Sequence, residues 1–281
     1  MKKLILSLLA VAVMGTASAQ VSTPQPSPLS KLEQKVGLTD VTVEYSRPGM
    51  RGRTIFGDLV PYGKLWRTGA NANTVVTFSN DVKINGVALK KGKYAVFTKP
   101  SANQWEVIFY TDTNNWGTPR NWDDAKVALK TTAKVEKMPM KIETFTITLD
   151  DLTNNSAVLG MLWENSYAGV KFEVPTDKEV SASIEKVMAG PGPADYFASA
   201  SYYLEEGKDI NQAVKWIDKA VDMTKDKPRF WYLRKQSLIH AKAGNKKGAI
   251  KAAKESLKYA EKAGNADYIK MNKDSLKEWG A

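Results

Sequence analysis

The sequence predicts two domains of different class, an antiparallel β-sandwich or jelly roll followed by a domain of helical hairpins. From residue 36 to residue 176, apolar and polar side chains alternate with a period of two, which is typical of strands with one buried face. Beyond residue 193 the apolar period changes to that of an amphipathic helix. Gly190-Pro191-Gly192-Pro193 separates the two patterns, so we predict a linker over residues 177–193.

The first nineteen residues have the features of a cleavable export signal. Two lysines precede an apolar run from Leu4 to Met14, and Ala17-Ser18-Ala19 supplies a small-x-small cleavage site. This run is too short to span a bilayer, and no later apolar run in the sequence is long enough. We therefore predict a periplasmic or secreted protein, cleaved after Ala19, with a disordered Pro-rich leader over residues 20–35.

The strands of residues 36–176 are recognised by their alternation, which is clearest in residues 41–45, 144–149 and 170–174. Asn85-Gly86 lies between two short apolar segments and predicts a two-residue hairpin. About eight short strands joined by Gly, Pro and Asn turns fit a sandwich or jelly roll. Strands do not alternate with helices, which argues against Rossmann-type and α/β-barrel folds.

The helical segments of residues 194–281 come in pairs. Ala213-Val214-Lys215 and Ala249-Ile250-Lys251 each follow a Gly-containing turn, and the two motifs lie 36 residues apart. This spacing is close to the period of about 34 residues in tetratricopeptide repeats. The domain therefore resembles a short tetratricopeptide array that ends in a capping helix over residues 266–279. The resemblance implies stacked helix pairs and a concave face that binds protein.

The scarcity of cysteine and histidine excludes several chemistries. The chain has no cysteine and a single histidine, His240, so Cys nucleophiles, thiolate metal sites and multi-His metal sites are excluded. We predict no metal and no cofactor. Because His240 falls in the helical part, Ser-His-Asp catalysis in the β domain is not expected, and a packed or surface-edge role is predicted for it.

The positive charge is concentrated in the C-terminal part of the chain. The formal net charge is +11, with a net of +3 for residues 21–180 and +6 for residues 181–281. An exported protein rarely meets nucleic acid, so we predict no nucleic-acid partner. Anionic envelope polymers, phosphates or acidic proteins are the partners that this charge favours.

The segment from Glu44 to Thr74 carries the best candidate ligand site, because it is rich in Arg, Gly, Pro and Asn. Arginine forks suit phosphate or carboxylate, asparagine adds neutral hydrogen bonds, and loops on a rigid sheet often bind ligands. The alternative is that the arginines anchor a long loop against backbone carbonyls and a carboxylate such as Asp58 or Glu44. The candidate residues are Arg47, Arg51, Arg53, Arg67, Asn71 and Asn73.

Two further groups of residues are candidate binding surfaces. Trp116, Arg120 and Trp122 offer aromatic faces and a cation that suit a sugar or another flat ligand, although burial is the commoner role of Trp. On the helix from Lys246 to Lys262, lysines recur every three or four residues opposite the apolar face. We predict that this lysine row is either a solvated surface or a docking site for an anionic partner. The lysine row consists of Lys247, Lys251, Lys254, Lys258 and Lys262.

The β domain contains a series of specific motifs. They are Tyr45-Ser46-Arg47-Pro48, Gly52-Arg53, Ile55-Phe56-Gly57, Leu59-Val60-Pro61-Tyr62-Gly63, Trp66-Arg67-Thr68-Gly69-Ala70-Asn71, Gly92-Lys93-Tyr94, Trp105 and Trp116-Gly117. Together they resemble the exported bacterial family catalogued as domain of unknown function 2911, over residues 36–175. The resemblance implies a secretion signal and these domain limits, and it implies no reaction, substrate or catalytic residue.

These observations predict an exported, non-catalytic binding and scaffolding protein. Its β domain is expected to recognise an anionic or glycan ligand, or to brace the structure, and its helical repeats to dock a protein partner. The alternative is a carbohydrate-active enzyme or glycan-binding module of the cell envelope that uses the Arg and Trp loops of the β domain. No carboxylate pair is singled out for hydrolysis, so we favour a protein that is not an enzyme.

Overall fold

The computed structural model describes residues 23–281 and divides the chain into two compact units, one ending at Thr176 and the other beginning at Asp177. The predicted export signal and the first residues of the predicted leader lie outside the described residues. The first unit is built from strands and the second from helices, so the predicted order of a β domain followed by a helical domain is confirmed.

The described part of the first unit forms one antiparallel sheet with the strand order β1-β2-β3-β6-β7-β8-β9-β4-β5. The Asn85-Gly86 hairpin joins β4 to β5, as its sequence predicts. The strands are β1 (Leu29–Val36), β2 (Thr39–Ser46), β3 (Ala70–Phe78), β4 (Val82–Ile84), β5 (Val87–Leu89), β6 (Gly92–Pro100), β7 (Gln104–Tyr110), β8 (Val127–Asp150) and β9 (Ser156–Glu173).

The long strand β8 lets this sheet fold back on itself. Residues 127–134 pair with β7, residues 135–150 pair with β9, and the register shifts twice between Lys137 and Thr146. Irregular pairing of this kind bends a strand sharply. The two halves of the sheet consequently face each other, and Tyr45 on β2 donates its hydroxyl to the carbonyl of Ile147 on β8 (3.3 Å). The result is the two-layer packing expected of a sandwich.

The centre of this packing is a cluster of aromatic rings around Trp66, a residue of the long loop between β2 and β3. The Trp66 ring stacks on Trp163 of β9 (5.8 Å between centroids) and meets Phe145 of β8 (5.1 Å) and Trp105 of β7 (6.1 Å). The Trp66 backbone also pairs with Thr98 of β6 in both directions. The loop from residue 47 to residue 69 therefore contributes side chains such as Trp66 to the core, although much of the loop is exposed.

The prediction of a disordered leader through residue 35 is wrong from Leu29 onward. Residues Leu29–Val36 form β1, which pairs with β2 along all eight of its residues. The last proline of the leader is Pro28, so every residue of β1 has an N–H to donate. Alternate side chains of β1 turn towards the core, and Leu32 packs against the core cluster. The Pro-rich composition upstream concealed this strand.

The second unit consists, in the described chain, of six helices, and three of them begin at an Asp or Asn whose side chain caps the backbone. The stacked rings of Phe197 on α2 and Tyr232 on α4 (4.2 Å) lie in its core. No helix in the described chain is long and apolar enough to cross a membrane. The helices are α1 (Thr176–Val187), α2 (Pro193–Glu205), α3 (Ile210–Asp222), α4 (Phe230–Lys242), α5 (Lys246–Lys262) and α6 (Ala266–Glu278).

Most of the segment assigned to a linker, residues 177–193, is the helix α1. Asp177 forms an ion pair with Lys208 (2.5 Å) and accepts a hydrogen bond from the Tyr202 hydroxyl (2.9 Å), so α1 is attached to the helical unit. These hydrogen bonds, with that of Lys208 the larger, lower the pKa of the Asp177 carboxyl. Because this pKa is depressed, the attachment is strongest above the usual pKa of an Asp and weakens as the pH falls through the lowered value.

Gly37 and Gly86 provide a matched pair of substitutions that tests the β1–β2 turn. Both have positive φ (+55° and +83°), but a Cβ at Gly37 would collide with the Thr176 hydroxyl and the Asn154 carbonyl, whereas nothing lies near one at Gly86. We expect Gly86→Ala to lower the free energy of unfolding by about 1–2 kcal/mol, the usual left-handed penalty. Gly37→Ala should cost about 1–3 kcal/mol more because of the collision. Urea unfolding curves measure both, and equal losses would contradict this packing.

Candidate functional site

Arg47 ties the end of β2 to β8. Its Nε donates to the carbonyl of Phe145 (3.1 Å), and its Nη2 donates to Oγ1 of Thr146 (2.8 Å). Its backbone N–H donates to the carbonyl of Pro28, just before β1 (2.9 Å). The side chain is half-buried and its bonds are directed at protein atoms, so this geometry favours loop anchoring over ligand binding.

Arg51 and Arg53 are also directed at backbone carbonyls. Arg53 donates to the carbonyls of Met50 (2.9 Å) and Gly49 (2.7 Å), which closes the turn on which it lies. Arg51 has a positive φ of 50°, and its Nη2 donates to the carbonyl of Pro26 (2.7 Å). These two side chains are exposed, but their hydrogen bonds brace the loop rather than converge on an open site.

Arg67 has a different neighbourhood from the other three arginines. Its Nη1 donates to the carbonyl of Asn71 (2.8 Å). The guanidinium also lies against Gly117, where an added Cβ would come within 3.1 Å of Nη1. Arg67 therefore links the start of β3 to the loop between β7 and β8, on which Trp116 lies.

Asn71 and Asn73, both on β3, form hydrogen bonds with different parts of the sheet unit. Asn71 has a left-handed φ of 57°, and its Nδ2 donates to the carbonyl of Ser27 (3.1 Å) and to Oγ of Ser46 (3.3 Å). Its Oδ1 accepts no hydrogen bond from the described residues. Asn73 is buried and bonds twice to Asn115, because its N–H donates to the Asn115 carbonyl (3.0 Å) and its Oδ1 accepts from the Asn115 N–H (2.8 Å).

The loop that carries Trp116 is fixed at a second point by Asp112. The carbonyl of Asp112 accepts from Nδ2 of Asn115 (3.0 Å), and its carboxylate forms an ion pair with Lys126 (2.9 Å). The hydrogen bond from Lys126 holds the pKa of the Asp112 carboxyl below its usual value, so the carboxylate stays charged at neutral pH. The backbone next to Trp116 is thus held on both sides.

Trp116 projects from this anchored loop with 77% of its surface exposed. It borders a cleft of about 470 Å³ at the start of β1 and β3. Of the candidate residues, the structure brings Trp116 and Asn71 together at this cleft, with Arg67 bonded to Asn71 beside it. The cleft is lined by Gln25, Pro28, Leu29, Ser46, Asn71, Ala72 and Trp116.

Trp122 and Arg120 lie apart from this cleft. The Trp122 ring stacks on Tyr110 (4.5 Å between centroids) and meets the edge of Phe97 (5.5 Å), in a small apolar cluster of its own. Its contacts are therefore those of a packed residue. Arg120 is exposed and makes no hydrogen bond or ion pair with any described residue, so its geometry assigns it no role.

In the helical unit, the lysine row of α5 is exposed along its whole length. Within the part of the chain that the structure describes, none of its five side chains has a carboxylate at ion-pair distance. Lys258 lies over the ring of its neighbour Tyr259 (5.4 Å from the centroid). The row therefore presents positive charge that the unit itself does not neutralise.

His240 has both ring nitrogens engaged and is only 9% exposed. Its Nε2 lies 2.9 Å from Oδ1 of Asp218, and its Nδ1 lies 3.0 Å from Nδ2 of Asn245. Since Oδ1 of Asn245 caps α5 by accepting from the Gly248 N–H (2.9 Å), Nδ2 is the atom that donates to the imidazole. The proton of the neutral ring thus lies on Nε2 and is donated to Asp218, which leaves no nitrogen free for proton transfer.

Sequence reasoning found both ends of the candidate site but missed the residues that join them. Asn115, which holds the Trp116 loop to Asn73, was not singled out, although it directly precedes Trp116. Leu29 was missed because its segment was assigned to a disordered leader, and it is 70% exposed at the cleft. Within the described residues, no group of three or more potential His, Cys, Asp or Glu ligands could hold a metal ion.

Comparison with known proteins gives one finding. Residues 27–172 match a family described as "Protein of unknown function (DUF2911)", a span of just over half of the chain. No curated protein and no solved structure matched the chain. The match covers the sheet unit and ends before the helices, so it bears on the cleft and not on the lysine row.

Asn73→Ala tests whether the buried amide positions Trp116. The substitution leaves the Asn115 N–H without its acceptor, which should lower the free energy of unfolding by about 1–3 kcal/mol. It should also speed amide hydrogen exchange in residues 112–117, because the loop loses a tether. Asn114→Ala is the control, since the Asn114 side chain makes no hydrogen bond with a described residue. If the two variants have the same stability and the same exchange, Asn73 is not the tether.

Proposed function

Because the chain belongs to the family described as "Protein of unknown function (DUF2911)", the family that its motifs predicted, we propose its function from its own geometry. The protein is a non-catalytic binding protein whose sheet unit holds a ligand against Trp116. The observation that carries this proposal is the combination of an indole that is 77% exposed with a backbone that is anchored on both sides of it. Large apolar side chains that are rigid and exposed are typical of binding sites.

The chemistry of the cleft suits a carbohydrate. Trp116, Leu29 and Pro28 provide apolar surface. Nδ2 of Asn71 donates to Oε1 of Gln25 (3.4 Å), which leaves Oδ1 of Asn71 and Nε2 of Gln25 as neutral hydrogen-bonding groups for a ligand. A sugar ring has one face of C–H groups that stacks on an aromatic plane and a rim of hydroxyls that bonds amides. A few polar groups in a mainly apolar cleft are the usual composition of small-molecule sites.

The same cleft lacks the groups that glycoside hydrolysis needs. Hydrolysis requires two carboxyl groups on either side of the scissile bond, about 5–9.5 Å apart. None of the described residues that line the cleft is an Asp, a Glu or a His. A glycan-binding module is therefore favoured over a carbohydrate-active enzyme.

The proposal places the protein outside the cytoplasm and gives the helical unit a docking role. Export rests on the signal-like features of the first nineteen residues. The docking role rests on the lysine row, whose unneutralised charge favours an acidic protein partner. A binding sheet unit and a docking helical unit in one chain make a scaffold that connects an envelope glycan to a protein.

Trp116→Ala tests ligand binding by the sheet unit. On an array of bacterial envelope glycans, we expect the full chain to bind and Trp116→Ala to weaken binding by at least about tenfold, because losing a central aromatic contact costs about 2 kcal/mol. The melting temperature should not change, since the side chain is exposed. The control is Trp231→Ala, a partly exposed Trp of the helical unit. Equal binding by Trp116→Ala would contradict the site, and release of reducing sugar would favour the enzyme.

Neutralising the lysine row tests docking by the helical unit. In a cross-linked pull-down from envelope extract, a variant with all five lysines changed to Gln should lose the protein partners that the unchanged chain captures, because long-range attraction and interfacial ion pairs are removed together. The matched control changes five exposed lysines of the sheet unit to Gln, namely Lys64, Lys83, Lys90, Lys91 and Lys93. If the row variant still captures the partners and the sheet-unit control does not, docking is assigned to the sheet unit.

A further inference from the structure

The helical unit contains a groove of about 550 Å³ that the repeat pattern does not indicate. The floor of the groove is α4, through Tyr232, Leu233 and Gln236, and its walls are α3 and α5, through Val221 and Ala252. A groove of this volume is large enough for a few peptide side chains.

The helices form two hairpins, α2–α3 and α4–α5, and the groove lies on the side of their second helices, α3 and α5. On the other side of α4, Arg234 donates to Oγ of Ser275 on α6 (3.0 Å), and Lys235 forms an ion pair with Glu205 on α2 (2.9 Å). That opposite side is the one shared by the first helices, α2 and α4, and the capping helix α6. The groove is therefore on the opposite side of α4 from the face that the first helices share.

Arg229 is fixed at the mouth of the groove. Its guanidinium lies over the ring of Tyr232 (4.9 Å from the centroid) and near that of Trp231 (5.9 Å), and its Nη1 donates to the Tyr232 hydroxyl (2.8 Å). No carboxylate among the described residues lies within ion-pair distance of it. Four of its five N–H groups have no protein acceptor in that same part of the chain, so a planar, preoriented cation is available to a ligand.

The groove is lined by equal numbers of cations and carboxylates, and further lysines lie beside it on α5. Lys251 of the lysine row lines the groove, and the other four lysines of the row follow it along the exposed surface of α5. Of the three carboxylates that line the groove, Asp218 is already engaged by Gln236 (2.8 Å) and His240 (2.9 Å). Three cations, Lys225, Arg229 and Lys251, therefore line the groove together with three carboxylates. The positive excess comes from the other four lysines of the row, which are exposed on α5 beside the groove.

We propose that this groove binds an acidic segment of a partner protein, with carboxylates on Arg229 and Lys251. This rests on the docking role proposed above and names its site and the chemistry of its occupant. A peptide reaches Arg229 and the lysine row at the same time. A flat anionic membrane contacts the row but does not enter a groove, so a membrane does not account for the fixed position of Arg229.

The test is fluorescence anisotropy with the full chain and a short labelled peptide that alternates Glu and Phe. We expect saturable binding that weakens with salt, and no binding of the corresponding Lys–Phe peptide. Lys251→Gln and Arg229→Gln should each weaken binding about tenfold, the loss expected for one charge-assisted hydrogen bond. Lys277→Gln, on the exposed surface of α6, should have no effect.

Lys251→Gln keeps the proposal falsifiable if Arg229→Gln unfolds α4, because Lys251 is exposed and makes no hydrogen bond with a described residue. Equal affinity of the unchanged chain and Lys251→Gln overturns the groove, as does the absence of peptide binding. Vesicles of phosphatidylglycerol test the alternative partner. If the vesicles bind through the lysine row, and Arg229→Gln changes the binding of neither peptide nor vesicle, the partner is an anionic membrane and not a peptide. If the pull-down captures partners with Lys251→Gln and with Arg229→Gln but not with the five-lysine variant, the docking role is supported and the groove is rejected as its site.

Discussion

The sheet unit depends on the packing of one side chain, Trp66, against both layers of the folded sheet. Each edge or stacked contact between aromatic rings contributes about 0.5–1.5 kcal/mol beyond the area it buries, and Trp66 makes four of them among the described residues. The indole N–H donates to the carbonyl of Gly69 (3.1 Å), so the same ring also shapes the backbone that follows it. The loop can hold left-handed residues such as Thr68 (φ 56°) because its anchor, Trp66, packs against the core.

The candidate site follows from this anchor along the chain. Three residues after Trp66, Gly69 begins the turn into β3, and Asn71 and Asn73 come next on that strand. Asn73 then reaches across to Asn115, and Arg67 packs on Gly117, so the exposed Trp116 is positioned by groups whose own positions depend on Trp66. The arginines that looked like ligand groups mostly serve the same loop. The polar segment that resembles a binding site in sequence therefore supports the candidate site at Trp116.

The two units differ in the kind of recognition that their surfaces favour. The cleft of the sheet unit is lined by uncharged side chains, and in the proposed function its specificity comes from shape, an aromatic face and amides. The helical unit carries an exposed lysine row beside its groove, so charge is the basis of recognition in the docking role that we propose. The net charges of the two parts of the sequence, +3 and +6, differ in the same direction. Charge acts over longer distances than shape does, so in the proposed function the helical unit captures a partner and the sheet unit discriminates between ligands.

The sequence by itself determined the order of the two folds, the Asn85-Gly86 hairpin and the family, because alternation, helical period and motif order are local properties of the chain. It also named Trp116, Asn71 and the lysine row. Only the tertiary structure decided that Leu29–Val36 is a strand, that Trp122 packs on Tyr110, and that Asn115 joins Asn73 to Trp116. Those facts depend on contacts between residues far apart in the chain, and neither the period nor the composition of a segment specifies which distant residue will satisfy it.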